Sequence, residues 1–336
     1  MPTFCRHNHL VSNCTICARE QNVELRPVVT GGSATEAASA PRPARPVAER
    51  SAPRARRGGP RAGGRSGSGM TVRRMARGAE DGYHSDLVPG LRASSDAQRL
   101  AEEIAFAQAR LDTIAQYAPG LWSEIADASG DVEERTWLAF LIALIGPTES
   151  EEPFAEIARV RVPWAGGAIP DLSGVSGGVR TSLDQADRTR TVQAYRAWAQ
   201  RSGSQATAIA GDAAWTPQRR FARAYERLGL PGLQRGARFD LLATLGAAGL
   251  YELQAGTLAL GASDPVTIAA KRVFGIGDAI LLERRAMGLA EGCGVALQVL
   301  DVALFNWERG ARATLGVPDA EPDPGLTDAV ASALGL

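Results

Sequence analysis

The sequence predicts an all-α fold, on three observations: after residue 80 apolar side chains recur at helical spacing, helix start and stop signals bracket those stretches, and few alternating strand-like runs and no repeat of fixed period interrupt them. Ser95-Asp96-Ala97-Gln98 fits a capping box, after which Leu100, Ile104, Ala107, Leu111 and Ile114 fall on one face of a helix of about five turns. Asp131 with Glu134 predicts a second cap, opening a helix through Trp137, Phe140, Leu141, Leu144 and Ile145 that stops at Gly146-Pro147. Apolar on most sides, that helix is expected at the centre of the core, with Glu133 and Glu134 as partners of its N-terminal dipole. Residues 164–178, rich in Gly and Pro, read as a long loop. Helical patterning returns from Asp184 to Gln200 and again after Thr216-Pro217, where Thr caps and Pro occupies the first turn. Phe221, Tyr225 and Leu228 are the expected buried stripe of that helix.

Ser263-Asp264-Pro265 is a further helix start, leading through Ile268, Ala269 and Val273 into Phe274-Gly275-Ile276-Gly277, with another helix opening at Asp278. Two short helices joined by Gly-apolar-Gly form a helix-hairpin-helix pattern, predicted at residues 264–290. The glycines permit a tight turn and a close approach of backbone to a phosphate, and the second helix turns the positive end of its dipole outward. Ile276 is expected to plug between the helices, and Lys271 and Arg272 to meet phosphate. The expected DNA contacts are therefore Lys271, Arg272, Gly275, Ile276 and Gly277. An ordinary helix-to-helix turn with a glycine stop is the alternative.

Charge divides the chain. Between Arg26 and Arg77 stand twelve arginines against Glu36 and Glu49, a net +10, leaving 25 basic and 35 acidic residues, a net −10, elsewhere. Of the 37 basic residues only Lys271 is not arginine. Residues 26–80 carry almost no large apolar side chain, so they read as a disordered tether, and the eight arginines from Arg42 to Arg65 suit sequence-independent attraction to nucleic-acid phosphates or simple solubilisation. Ahead of it, Cys5, His7, Cys14 and Cys17 in residues 1–25 give C-x-H-x6-C-x2-C, a Cys₃His donor set that suits one tetrahedral zinc ion, with His9 as an alternate ligand. So small a segment is expected to fold only with its metal. The fourth cysteine, Cys293, stands alone, so no disulfide framework is expected. No stretch approaches the roughly 20 apolar residues of a membrane span, and a cytoplasmic protein is expected. The helical domain is placed at 81–315, followed by a tail at 316–336 with a short helix, and oligomeric state is left open.

Four stretches together resemble a known family: Arg238-Phe239-Asp240-Leu241-Leu242, Leu250-Tyr251-Glu252-Leu253, Ala269 through Asp278, and Leu300-Asp301-Val302-Ala303-Leu304-Phe305-Asn306-Trp307. They are similar to the helix-hairpin-helix DNA glycosylase superfamily, and within it to the alpha-glutamyl/putrescinyl thymine pyrophosphorylase branch, clade 3-like. The resemblance spans roughly 85–310. It implies an enzyme acting on a modified pyrimidine of the 5-hydroxymethyl type in DNA, with an amine displacing pyrophosphate from an extruded base. It also implies a catalytic Asp opening a helix after the hairpin. Asp301 is the candidate, 24 residues beyond Gly277, a longer interval than the family pattern, and its apolar setting leads us to expect strain or a raised pKa. Helix capping or a surface position is the alternative for Asp301. Ala279 stands where the bifunctional members carry a lysine nucleophile, which argues against a lyase, and with no cysteine after Cys293 the iron–sulfur loop of some members is absent. Arg235 and Arg238, near Asp240, are candidate anion-binding residues or ordinary helix-surface arginines. A non-catalytic DNA-binding protein, or a helical protein-interaction module with a zinc-bearing tail, is the competing reading.

Overall fold

A computed structural model describes residues 77–181, 185–261 and 264–336, and among them twelve helices and no strand. In order these are α1 (Ser94–Tyr117), α2 (Leu121–Ala126), α3 (Val132–Ile145), α4 (Ala155–Val160), α5 (Gln185–Arg201), α6 (Gln205–Ala210), α7 (Pro217–Arg227), α8 (Arg235–Ala247), α9 (Pro265–Phe274), α10 (Ala279–Gly292), α11 (Val299–Arg309) and α12 (Pro324–Leu334). None is long and apolar enough to cross a membrane. Cys5, His7, His9, Cys14, Cys17 and the arginine-rich stretch to residue 76 lie outside the described residues.

Local chemistry explains most helix ends. Asp131 caps α3 by accepting from the amides of Glu133 and Glu134, and the helix stops at Gly146, whose φ of 78° favours glycine. Thr216 caps α7 through the Arg219 amide, with Pro217 next. Asp264 caps α9 through Val266 and Thr267. Helix α1 departs from expectation. Its first residue is Ser94, whose amide and hydroxyl donate to Asp81, 13 positions upstream, while Asp96 accepts from the Gly78 amide. The predicted capping box is thus replaced by a cap from the preceding segment. Glu133 and Glu134 also do more than face their own helix. Glu133 accepts from the amides of Gln205 and Ala206 at the start of α6, and Glu134 from those of Trp164 and Ala165, anchoring the expected long loop.

Every residue of α3 from Thr136 to Ile145 is buried, which places it centrally, against α2, α4, α6 and α8. On it Trp137 stacks on Phe140 and Tyr195 with ring centroids 5.5 and 6.0 Å apart, and Arg196 lies against both Trp137 and Trp164 at 4.6 and 4.5 Å. The short helix expected near the C-terminus is α12. It lies on α1, with Val330 and Leu334 buried and Tyr83 donating to the Leu334 carbonyl at 2.6 Å.

Helices α9 and α10 are joined by Gly275-Ile276-Gly277-Asp278. Gly275 ends α9 in the left-handed region at φ 66°, Ile276 is half-buried against the core, and Asp278 caps α10 through the Leu281 amide. Gly90 lies directly against this turn, its amide donating to Val273 O at 2.9 Å. A Cβ at Gly90 would fall 1.9 Å from Arg272 O and 2.6 Å from Gly275 N, so no side chain fits. Replacing Gly90 by Ala is accordingly expected to cost about 1–3 kcal/mol as the two segments are pushed apart, read as a lower urea midpoint.

Candidate buried charge cluster

Six charged side chains from five segments alternate in sign through the interior. Arg110 on α1 faces Asp240 on α8, with Nη1 3.3 Å from Oδ1. The same Asp240 oxygen is 3.6 Å from Arg180, which precedes α5. Arg180 donates through Nη2 to Asp301 Oδ2 at 2.5 Å, and Arg235 at the start of α8 donates through Nη1 to Asp301 Oδ1 at 2.5 Å. Arg235 Nη1 also lies 3.7 Å from Asp264, the cap of α9. The side chain of Arg110 is 1% exposed and that of Asp301 likewise, whereas Asp264, at 19%, marks the outer end of the chain. An aromatic ring backs each arginine: Trp122 at 6.0 Å for Arg110, Phe305 at 5.0 Å for Arg180 and Phe239 at 5.0 Å for Arg235.

Charge removed from water to this extent is tolerated only when it is paired. Burial on its own raises the Asp301 pKa, but the Arg180 and Arg235 guanidiniums outweigh it and hold the carboxyl below its ordinary value. That is opposite in direction to the expected raised pKa. With each oxygen accepting from a different arginine, Asp301 is a fixed anion tying α11 to α8 and to the segment before α5. Burial likewise opposes the charge of Arg180, yet Asp301 and Asp240 leave its pKa raised. For Arg110 burial prevails over Asp240, and the pKa is lowered.

Arg235 further donates Nε and Nη2 to the Leu258 carbonyl, and Glu283 on α10 accepts from the amides of Leu258 and Leu260. Between those two residues Ala259 adopts φ 54°, a conformation costly for a residue with a Cβ, and the flanking bonds hold it there.

Of the residues expected to act together, Asp301 and Arg235 are in contact and Arg238 is not with them. Arg238 lies over the Tyr225 ring at 4.4 Å and donates weakly to the Tyr225 carbonyl at 3.4 Å. The hairpin glycines sit at the far end of α9 from Asp264. That helix has ten residues, about 15 Å at the ordinary helical rise. At the hairpin end Arg272 is committed to Glu308 of α11, with Nη1 2.6 Å from each carboxylate oxygen, while Lys271, Gly275 and Gly277 are exposed. Arg110, Arg180 and Asp240 were not expected in the cluster. The readable signals were Arg110 on the same helical stripe as Ala107 and Ile114, and Asp240 inside the apolar run Phe239–Leu242.

Comparison with known protein families, characterised proteins and solved structures finds no match. No group of three or more His, Cys, Asp or Glu side chains suited to a metal occurs among the described residues.

Proposed function

We propose that this protein binds duplex DNA through the Gly275–Gly277 turn and the first turn of α10. The observation that carries the reading is the exposure of Gly275 and Gly277 in the turn between α9 and α10, where a Cβ built on Gly277 meets no atom within 4 Å. Backbone there is open to a phosphate, and the first amides of α10 carry the positive end of the helix dipole. Lys271 and Arg284 are exposed on either side, and Ile280, 73% exposed, offers an apolar contact for a groove wall. The basic stretch Arg42–Arg65 would add non-specific attraction, and a zinc ion on Cys5, His7, Cys14 and Cys17 an accessory module.

Gly277→Val tests this without disturbing the fold, because the new side chain enters open space. Anisotropy titration of a labelled duplex at low salt is expected to show about tenfold weaker binding than wild type, comparable to losing one or two phosphate contacts, with an unchanged melting temperature. Undiminished binding by the variant would remove the turn from the interface. Absence of binding by the wild-type chain would favour a protein-interaction role, in line with the net −10 outside residues 26–77.

A second reading, chemistry on an extruded pyrimidine in DNA, draws on one observation: the buried contact of Asp301 with Arg235. Base chemistry by Asp301 would require it to release a guanidinium. Its test is nucleoside mass spectrometry after incubating wild-type protein with an amine and DNA carrying the pyrophosphate-activated 5-hydroxymethyl base. An unaltered base would leave the binding role alone.

A further inference from the structure

Helix α7 gathers its cations on its outer side. Arg219, Arg223 and Arg227 recur every fourth residue and are all exposed, while Arg220, Phe221 and Ala224 form the buried side. Successive arginines are therefore about 6 Å apart along the axis, and the strip is about 12 Å long. Glu226 meets Arg223 at 2.9 Å, an exposed pair of the kind that contributes little to stability and is readily exchanged. Arg219 and Arg227 form no ion pair among the described residues. Arg219 also stands in the first turn of α7, where the positive end of the helix dipole disfavours a cation and no acidic residue offsets it.

What both arginines do meet is an indole. Trp215, just ahead of the Thr216 cap, is part-exposed and has the Arg219 and Arg227 guanidiniums 5.4 and 5.9 Å from its ring centroid. Its place is fixed from the buried side of α7, where Arg220 donates Nε to the Ala210 carbonyl at 2.8 Å and Nη2 to that of Trp215 at 3.3 Å. At Gly211, φ 62°, an added Cβ would overlap the indole, so the ring rests against bare backbone there. A row of permanent cations beside a held aromatic ring matches a polyanion whose every unit carries a flat ring of its own. Guanidiniums take phosphate oxygens two at a time, and an unpaired base stacks on an indole. In a duplex the bases are already stacked on one another, and an acidic peptide would meet the arginines and leave the ring unused.

We propose that Trp215, Arg219, Arg223 and Arg227 form a docking strip for single-stranded nucleic acid, with phosphates on the arginines and one base on the indole. The strip belongs to α7 and does not rest on duplex binding at the Gly275–Gly277 turn.

The experiment is an indole ¹⁵N–¹H titration of the full chain with an oligothymidylate of about 12 nucleotides, within the range of one strand-binding site, and with the same sequence as a duplex and polyglutamate as comparison arms. Trp215→Phe identifies the Trp215 signal, which should shift saturably with the single strand and less with either comparison. Anisotropy titrations of the labelled oligothymidylate against salt give the second reading. The slope of log affinity on log salt should be shallower by about 1.4 in the double variant Arg219→Gln/Arg227→Gln, at about 0.7 per phosphate contact on a single strand. Trp215→Ala should weaken binding at least about fivefold, as losing one stacked base implies. The basic stretch Arg42–Arg65 is the same in every variant, so these differences report the strip. A Trp215 signal unmoved at saturation, an unchanged salt slope, or an equal response to the duplex would overturn the proposal. An equal response to polyglutamate would overturn it in favour of acidic peptides, and loss of the Trp215 response in Gly277→Val would return the strand to the turn.

Discussion

Asp301→Asn is expected to lower the free energy of unfolding by about 3–5 kcal/mol, because it leaves Arg180 and Arg235 buried without the charge that both require. The carboxamide presents one acceptor oxygen where two are used, and turns an NH₂ donor toward the second guanidinium. Urea denaturation at neutral pH measures the loss, and a variant within about 1 kcal/mol of wild type would show that the cluster is not rigidly paired. The pH dependence has a defined sign. Since the folded pKa of Asp301 is lowered, its contribution is fully present above the unfolded value of about 3.9 and is lost as pH falls through the folded value. The stability gap between wild type and Asp301→Asn should therefore close below about pH 4. For function the consequence is direct: loss of an activity in Asp301→Asn would not distinguish catalysis from a damaged interior, so wild-type turnover and Gly277→Val are the informative measurements.

Trp137→Ala should cost a comparable amount, about 3–5 kcal/mol. The side chain is 1% exposed, donates Nε1 to the Val162 carbonyl at 2.8 Å and stacks on Phe140 and Tyr195. It also packs against Arg196, whose guanidinium in turn donates to the Trp164 and Ala168 carbonyls. Truncation thus opens a cavity in the core and frees the anchor of the loop before Arg180. Denaturant unfolding gives the magnitude, and faster proteolysis within residues 161–181 would report the loosened loop. Phe at this position, which keeps the stack and loses the hydrogen bond, should recover more than half of the loss.

Fold class and most helix starts could be read in the sequence because their causes are local. Asp131, Thr216 and Asp264 cap amides two or three positions on, and the apolar stripe of α1 repeats every three or four residues. The Gly275–Asp278 turn was legible for the same reason, as a glycine stop followed by a capping Asp. What the sequence could not supply was partnership over long separations. Ser94 takes its cap from Asp81, Glu133 serves a helix start 72 residues away, and Arg180 reaches Asp301 across 121. Asp301 was singled out by the family resemblance, as the Asp that opens a helix after the hairpin, and the apolar run before it pointed to strain or a raised pKa. Whether it becomes a reactive acid or a neutralised anion depends on what the crossing helices bring within about 4 Å, the range over which a charge decides a buried pKa. Sequence alone therefore determined an all-helical chain with a glycine turn between two capped helices, while the placement of Arg180 and Arg235 on either side of Asp301, and of Asp240 between Arg110 and Arg180, was decided only by tertiary packing.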